Sequence, residues 1–201
     1  MARYGMAIDL ARCVGCYSCA MACKAENTTS SGVWWNKVLS KEEGEYPNAK
    51  LSFLPIACMH CDNPACVPVC PAGATYRRGD GIVIQDKDKC IGCKLCISAC
   101  PYGVRTFLDD YKSYYPTYGA SPQERLGAAS HKVDTVEKCT LCVHLVDASQ
   151  QPACVQACPA SARVVGDLDD PAGSIAKLLA SRKSVQLQVE KGTKPKVYYL
   201  R

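Results

Sequence analysis

The sequence predicts an α+β fold: two nested units of short strands and helices around four metal-cluster sites, with a hairpin and a C-terminal extension added. Three observations lead there. Sixteen cysteines in 201 residues fall into four groups of four. Two groups, Cys13, Cys16, Cys19, Cys23 and Cys90, Cys93, Cys96, Cys100, are regularly spaced, whereas Cys58, Cys61, Cys66, Cys70 and Cys139, Cys142, Cys154, Cys158 keep the outer spacings but widen the middle gap to four and to eleven residues. The order regular, gapped, regular, gapped points to a duplicated two-site unit, one copy inserted in the other. The first and fourth groups then form an outer unit around a contiguous inner unit made by the second and third. Pairing the first group with the second would leave no reason for the short 19-residue link between Cys70 and Cys90.

Along the chain, residues 3–10, RYGMAIDL, mix apolar and polar positions as a half-buried strand would. In CVGCYSCAMAC no proline follows Cys23, so the helical turn begun near Cys19 runs on through AEN until TTSSG stops it. Gly15 and Gly92 fill the same slot in their groups, where the missing side chain lets backbone N–H groups approach a cluster sulfur. Residues 33–57, VWWNKVL and KLSFLPIA around the polar turn KEEGEYPN, read as a hairpin-like excursion. Trp34 and Trp35 face opposite ways on a strand, so they are packing residues beneath it or one of them is an interface anchor. After CMHCDNPACVPVCP, the Gly-Asp-Gly turn and alternating Ile82 and Ile84 of GATYRRGDGIVIQDKDK mark a second hairpin.

CIGCKLCISACP carries the complete Cys-x2-Cys-x2-Cys-x3-Cys-Pro run of bacterial ferredoxins, whose first three cysteines hold one cubane iron-sulfur cluster while the fourth reaches its neighbour. The following segment, YGVRTFLDDYKSYYPTYGASPQERLGAAS, has four tyrosines between 111 and 118 but neither a helical nor a strand period. It reads as a long surface segment, either a binding loop or a mobile insertion. Beyond the fourth group, ARVVGDLDD reads as a short strand and turn. Asp170 and Pro171 read as the N-cap and first position of a helix running to about Lys183, with Ile175, Leu178 and Leu179 on its apolar face. SVQLQVEKGTKPKVYYLR then alternates as a strand and closes with a second one.

Composition excludes several classes. The N-terminus lacks a basic region followed by an apolar core, and no apolar run approaches the roughly 20 residues that span a bilayer. Cysteines two residues apart make poor disulfides, and structural zinc is usually gripped by two separated Cys-x2-Cys knuckles rather than by three cysteines within seven residues. The formal charge of +5 counts every cysteine as neutral; sixteen thiolates against four cores of roughly +2 each would bring it to about −3, which removes the nucleic-acid reading. His60 and His144 sit beside cysteines and read as supporting donors or packing residues. Lys24, Lys89, Lys94 and Lys138 abut cysteines, where a lysine either raises a cluster's potential or, as is usual, is simply solvated. No triad, paired-carboxylate site or phosphate loop is present, so no catalytic residue is assigned.

With CVGCYSCAMACKAEN, NPACVPVCP, DKDKCIGCKLCISACPYG, EKCTLCVHL and PACVQACP in that order, the chain resembles the iron-sulfur subunits of the dimethyl sulfoxide reductase family of molybdopterin oxidoreductases. GDLDDP and PKVYYLR are most similar to the polysulfide or thiosulfate reductase and respiratory arsenate reductase subunits. The resemblance implies two nested ferredoxin-like units, a molybdopterin-containing catalytic subunit as partner, and often an integral membrane subunit that exchanges electrons with quinone. Nitrate reductase relatives carry tryptophan where Cys93 stands and hold a three-iron cluster there, so this chain should hold four 4Fe-4S clusters. Formate dehydrogenase relatives add a C-terminal membrane helix that is missing here, so contact with the membrane should be indirect.

Crossing and nesting together assign one cluster to Cys13, Cys16, Cys19 and Cys158 and its neighbour to Cys139, Cys142, Cys154 and Cys23. The other pair takes Cys58, Cys61, Cys66 and Cys100, then Cys90, Cys93, Cys96 and Cys70. The outer unit is expected over residues 1–57 with 131–201, the inner unit over 58–107, and a connecting segment over 108–130. The expected function is electron relay between a quinone-linked membrane partner and the catalytic subunit, with no catalysis by the chain itself. Competing readings are a stand-alone polyferredoxin carrier, a subunit of a formate dehydrogenase or hydrogenase complex, and a metal store. The expected location is the periplasmic face of the cytoplasmic membrane, by export with the catalytic subunit, or alternatively the cytoplasm.

Overall fold

The computed structural model describes residues 2–201. Its main sheet has four strands in the order β8-β1-β10-β9. The first strand, β1 (Tyr4–Asp9), runs antiparallel to β8 (Arg163–Asp167) and parallel to β10 (Val197–Leu200), with Met6 opposite Val165 and Val197. A strand from the start of the chain is thus sandwiched between two from its end. Met6 and Ile8 point with Val165, Val197 and Tyr199 into the central core, which includes Cys19 and Cys154 and is flanked by Cys58, Cys61 and Cys100, whereas Ala7 and Leu200 pack on Ile175 of the last helix, α6 (Ser174–Ser181). Both faces are therefore covered. The expected half-buried strand is buried throughout Gly5–Asp9, because a helix distant in sequence closes the other face.

The remaining strands form three two-stranded ribbons. The first ribbon, β2 (Asn36–Glu43) with β3 (Lys50–Ala57), is the expected hairpin, paired from Asn36 opposite Ala57 out to Glu43 opposite Lys50. Only its root is buried, at Asn36, Val38 and Pro55. The Gly-Asp-Gly hairpin is β4 (Thr75–Arg77) with β5 (Val83–Gln85), closed by Arg78 N–H donating to Ile82 C=O at 2.8 Å and by the Asp80 carboxylate accepting from Ile82 N–H at 3.0 Å. The third ribbon joins β6 (Thr106–Leu108), after the third cysteine group, to β7 (Thr135–Glu137), before the fourth.

Helix α1 (Ser18–Asn27) contains Cys19 and Cys23 and stops at Thr28, whose φ of 44° is left-handed. Three expectations are corrected. The 102–130 segment is not structureless: Ser121 caps helix α3 (Pro122–Ala128), with its hydroxyl accepting from Glu124 N–H and the Glu124 carboxylate accepting from Ser121 N–H, a complete capping box. Asp170 is not the cap of α6. Its carboxylate accepts from Ala172 N–H at 2.9 Å and its carbonyl from Gly173 N–H at 3.0 Å, an Asx-type turn that postpones the helix to Ser174. Finally, only Ser184 and Val185 of the alternating run pair, as β9; Gln188 turns left-handed and a short 3-10 turn follows at Val189–Lys191.

Candidate metal centres

Each cysteine group begins with a loop that turns left-handed at its third position. Gly15 and Gly92 do so at φ 67° and 69°, and in the gapped groups His60 and Leu141 do so at 43° and 58°. This bend directs backbone N–H groups inward: Leu141 N–H donates to the Cys139 sulfur at 3.3 Å. Glycine takes the conformation freely, whereas another residue pays roughly 1–2 kcal/mol. His60 offsets it by burying its ring, whose Nδ1 accepts from Val83 N–H at 3.1 Å. Close packing adds a second demand on the glycines. A Cβ on Gly15 would stand 2.2 Å from the Phe53 ring, and one on Gly92 would stand 2.4 Å from the Asp134 carbonyl oxygen.

All sixteen cysteines are free thiols. Three cavities are each ringed by four of them. One is lined by Cys13, Cys16, Cys19 and Cys158, the next by Cys23, Cys139, Cys142 and Cys154, and the third by Cys58, Cys61, Cys66 and Cys100. In each ring three thiols come from one group and the fourth from another. Of the last set, Cys96 lies close enough to Cys90 and Cys70 for their charges to interact, while Cys93 stands exposed in the same loop. Among the described residues no three His, Cys, Asp or Glu converge tightly enough for a single metal ion. Four thiols drawn from two separated groups in each ring supply the donor set of a thiolate-bound cluster.

The sets form a line. Cys154 interacts with Cys19 of the first set, Cys139 with Cys58 of the third, and Arg105 reaches Cys66 of the third and Cys96 of the fourth. Exposed cysteines occur only at the two ends of this line, Cys16 and Cys93.

Burial pushes most of the inner thiols up: Cys61 to about 11, Cys139 to about 12, and Cys23, Cys66, Cys96, Cys142 and Cys154 upward as well. Left alone such groups keep their protons, and a bound metal core displaces them. Cys16 is held down by the Ser18 hydroxyl. At Cys70 burial raises the thiol, but backbone N–H groups of Thr75, Ala74 and Ala72 outweigh it.

Cations are buried among these thiols. The expectation of solvated lysines fails for Lys24 and Lys138, which are 7% and 1% exposed. Lys24 Nζ donates to the Val33 and Ser30 carbonyls at 2.7 and 3.1 Å and lies 4.2 Å from the Trp34 ring centre, so Trp34 covers an ammonium that burial pulls down to about 8. Lys138 donates to the Val83 and Cys139 carbonyls. Lys89 and Lys94 are exposed, as expected, the latter over the Phe107 ring. Trp35, on the opposite face, is buried and donates to Glu137. Arg105 and Arg163, which sequence reasoning missed, are also buried beside cysteines. His144 is on the surface, 2.7 Å from the Glu26 carboxylate.

Comparison with known proteins supports iron-sulfur clusters as the occupants. Two 4Fe-4S dicluster domain families match, one over residues 49–116 and one over residues 12–74 and 89–162. The chain is 41% identical to the arsenate respiratory reductase iron-sulfur subunit of Shewanella sp. (strain ANA-3), over 99% of this chain and 96% of that one. It is also 41% identical to a selenate reductase subunit of Mesobacillus selenatarsenatis, over 97% and 70%, and 41% identical to a tetrathionate reductase subunit of Salmonella typhimurium, over 98% and 72%.

Proposed function

We propose that the chain works as a four-cluster electron relay, because it belongs to the family of iron-sulfur subunits of molybdopterin reductases, and serves such a complex as its electron-transfer rather than catalytic member. The count of four rests on the four groups of four cysteines, and it is supported by three cysteine-ringed cavities, each completed by a thiol from a second group. In this reading Cys13, Cys16, Cys19 and Cys158 hold the first cluster and Cys139, Cys142, Cys154 and Cys23 the second. Cys58, Cys61, Cys66 and Cys100 hold the third, and Cys90, Cys93, Cys96 and Cys70 the fourth. The nested plan follows, with an outer ferredoxin-like unit over 1–57 and 131–201, an inner one over 58–107, and the tyrosine-rich link at 108–130.

A cubane bound by cysteine thiolates supplies a one-electron couple whose potential depends on charge, hydrogen bonding and exposure. The chain's own residues do the rest. Crossed cysteines tie neighbouring sites together, buried Lys24, Lys138, Arg105 and Arg163 balance thiolate charge, and apolar packing by Met6, Ile8 and Tyr199 keeps water out. Electrons enter and leave at the two ends of the line, beside the exposed Cys16 and Cys93.

The first-set end faces the molybdopterin catalytic subunit, of the polysulfide, thiosulfate or arsenate type, and the Cys93 end faces a membrane quinone-binding subunit. Among the described residues no helix is long and apolar enough to cross a membrane, which suits contact through that partner. In this reading the complex works on the periplasmic face of the cytoplasmic membrane, with the cytoplasm as the alternative. Metal and sulfide analysis of the anaerobically purified chain tests the reading. About 16 irons with matching acid-labile sulfide are expected; zinc in their place, or about 12 irons, would refute it.

A further inference from the structure

Five residues past the closing cysteine of the third group stands Arg105, and five past that of the fourth stands Arg163; at the same step after Cys23 and Cys70 the chain has Thr28 and Thr75. Each ferredoxin-like unit therefore holds one such arginine, in its second half. The two are 5% and 4% exposed, a costly place for a charge unless an anion is built in beside it. Among the described residues no carboxylate pairs with either one. Arg105 NH1 donates to Gln85 Oε1 at 3.0 Å and to Thr75 Oγ1 at 3.3 Å, leaving NH2 buried with no partner. Its guanidinium lines the Cys58, Cys61, Cys66 and Cys100 cavity and reaches both Cys66 and Cys96. Arg163 NH2 donates to Asn36 Oδ1 at 3.1 Å; its guanidinium lines the Cys13, Cys16, Cys19 and Cys158 cavity and reaches Cys154 across from it. The side-chain acceptors orient the forks, and the remaining charge points at thiolates of two different sets.

We propose that Arg105 and Arg163 are positioning residues that set the cluster potentials two at a time, each guanidinium raising together the potentials of the two clusters between which it lies. The proposal rests on the four-cluster ligation given above. Reduction adds negative charge to a cluster, so a fixed cation beside it favours the reduced form, and low local dielectric magnifies the effect. A guanidinium carries several donors in a rigid fork and can serve two anions at once, which an ammonium on a flexible stem does less well. Lys24 and Lys138 also lie near thiolates, but their ammonium groups are bonded to backbone carbonyls and line none of the three cysteine cavities.

The test titrates the cluster-loaded full chain potentiometrically with electron paramagnetic resonance detection, counting iron in each sample, for Arg105→Gln, Arg163→Gln and the corresponding lysine variants. Each glutamine variant should lower two of the four midpoints, with a tenfold or greater loss in the equilibrium constant for reduction, about 59 mV for one electron. The two variants should move complementary pairs. Each lysine variant should leave at least one member of its pair lowered. A wild-type chain with fewer than four couples would refute the ligation reading itself. With four wild-type couples present, midpoints that stay fixed, move singly or move all together in the glutamine variants would overturn the role given to the arginines. Should the glutamine variants lose iron, the lysine variants decide, because two unmoved midpoints in the affected pair would equally overturn it.

Discussion

Replacing Glu137 with alanine removes one carboxylate on which three side chains converge. It is 1% exposed and accepts from His131 Nδ1 at 2.5 Å, Lys87 Nζ at 3.1 Å and Trp35 Nε1 at 3.3 Å. His131 Nε2 in turn donates to the Asn27 carbonyl at 2.8 Å, so this one anion ties β7 to the end of α1 and to the root of the β2–β3 ribbon. Deleting one partner of a buried ion pair costs about 3–5 kcal/mol, because the other charge is left without compensation. Taking about 4 kcal/mol, and about 2–4 °C per kcal/mol for a chain of this size, the melting midpoint should fall by about 8–16 °C. Glu137→Gln keeps an acceptor and should lose about half as much. Far-UV circular dichroism of the loaded chain at one fixed scan rate is the assay, since cluster loss makes unfolding irreversible. Burial pushes the Glu137 carboxyl up, but His131 and Lys87 more than reverse this and hold it below the ordinary 4.5. Its contribution is therefore complete above the unfolded value and fades as pH falls through the lower folded value. The gap between wild type and Glu137→Gln should not narrow from pH 7 to about 5, and should shrink only below about 4.5. An alanine variant melting within about 2 °C of wild type, or a gap already closing above pH 5, would refute the reasoning.

Gly92→Ala and Gly103→Ala share a positive φ, but only the first meets a backbone oxygen at 2.4 Å while the second meets nothing within 4 Å. The first should cost about 3–4 kcal/mol and the second about 1, read as differences in apparent melting midpoint; equal losses would contradict the packing argument. Cys93→Ser should alter the cluster at one end of the line and leave assembly intact. Electron transfer from quinol should fall while activity with a small artificial donor to the catalytic subunit survives, and loss of both in an assembled complex would reverse the proposed polarity. His144→Ala removes an exposed pair with Glu26 and should change stability by no more than about 1 kcal/mol, with iron content unaltered.

Much of the site was legible because cysteine spacing is itself geometry: a two-residue gap closed by glycine specifies a tight loop, and the three cavities gather the same four thiols that spacing and nesting assign to each. What stayed hidden depends on distant partners. Nothing in the residue types of His60 and Leu141 announces a left-handed bend, because the loop imposes it and, for His60, Val83 N–H supports it. Lys24 and Lys138 looked like surface lysines since their acceptors come from chain segments that fold over them. The buried β1 could not be told from a half-buried strand without knowing that α6 lies across it. Two signals were present and overlooked: Ser121-Pro-Gln-Glu124 is a capping box with proline at the first helical position, and Cys-Pro-x3-Arg occurs at both Cys100 and Cys158.

The position of β1 between β8 and β10 also bears on how the protein is made. Synthesis delivers β1 first, yet its two hydrogen-bonding neighbours emerge only with residues 163–167 and 197–200. Until residues 163–167 emerge, Met6 and Ile8 have no sheet to join, and the first thiol set waits for Cys158. The inner thiols, by contrast, are all translated once Cys100 appears. The inner sites therefore have all their thiols 58 residues of synthesis before the outer ones, which are complete only with Cys158.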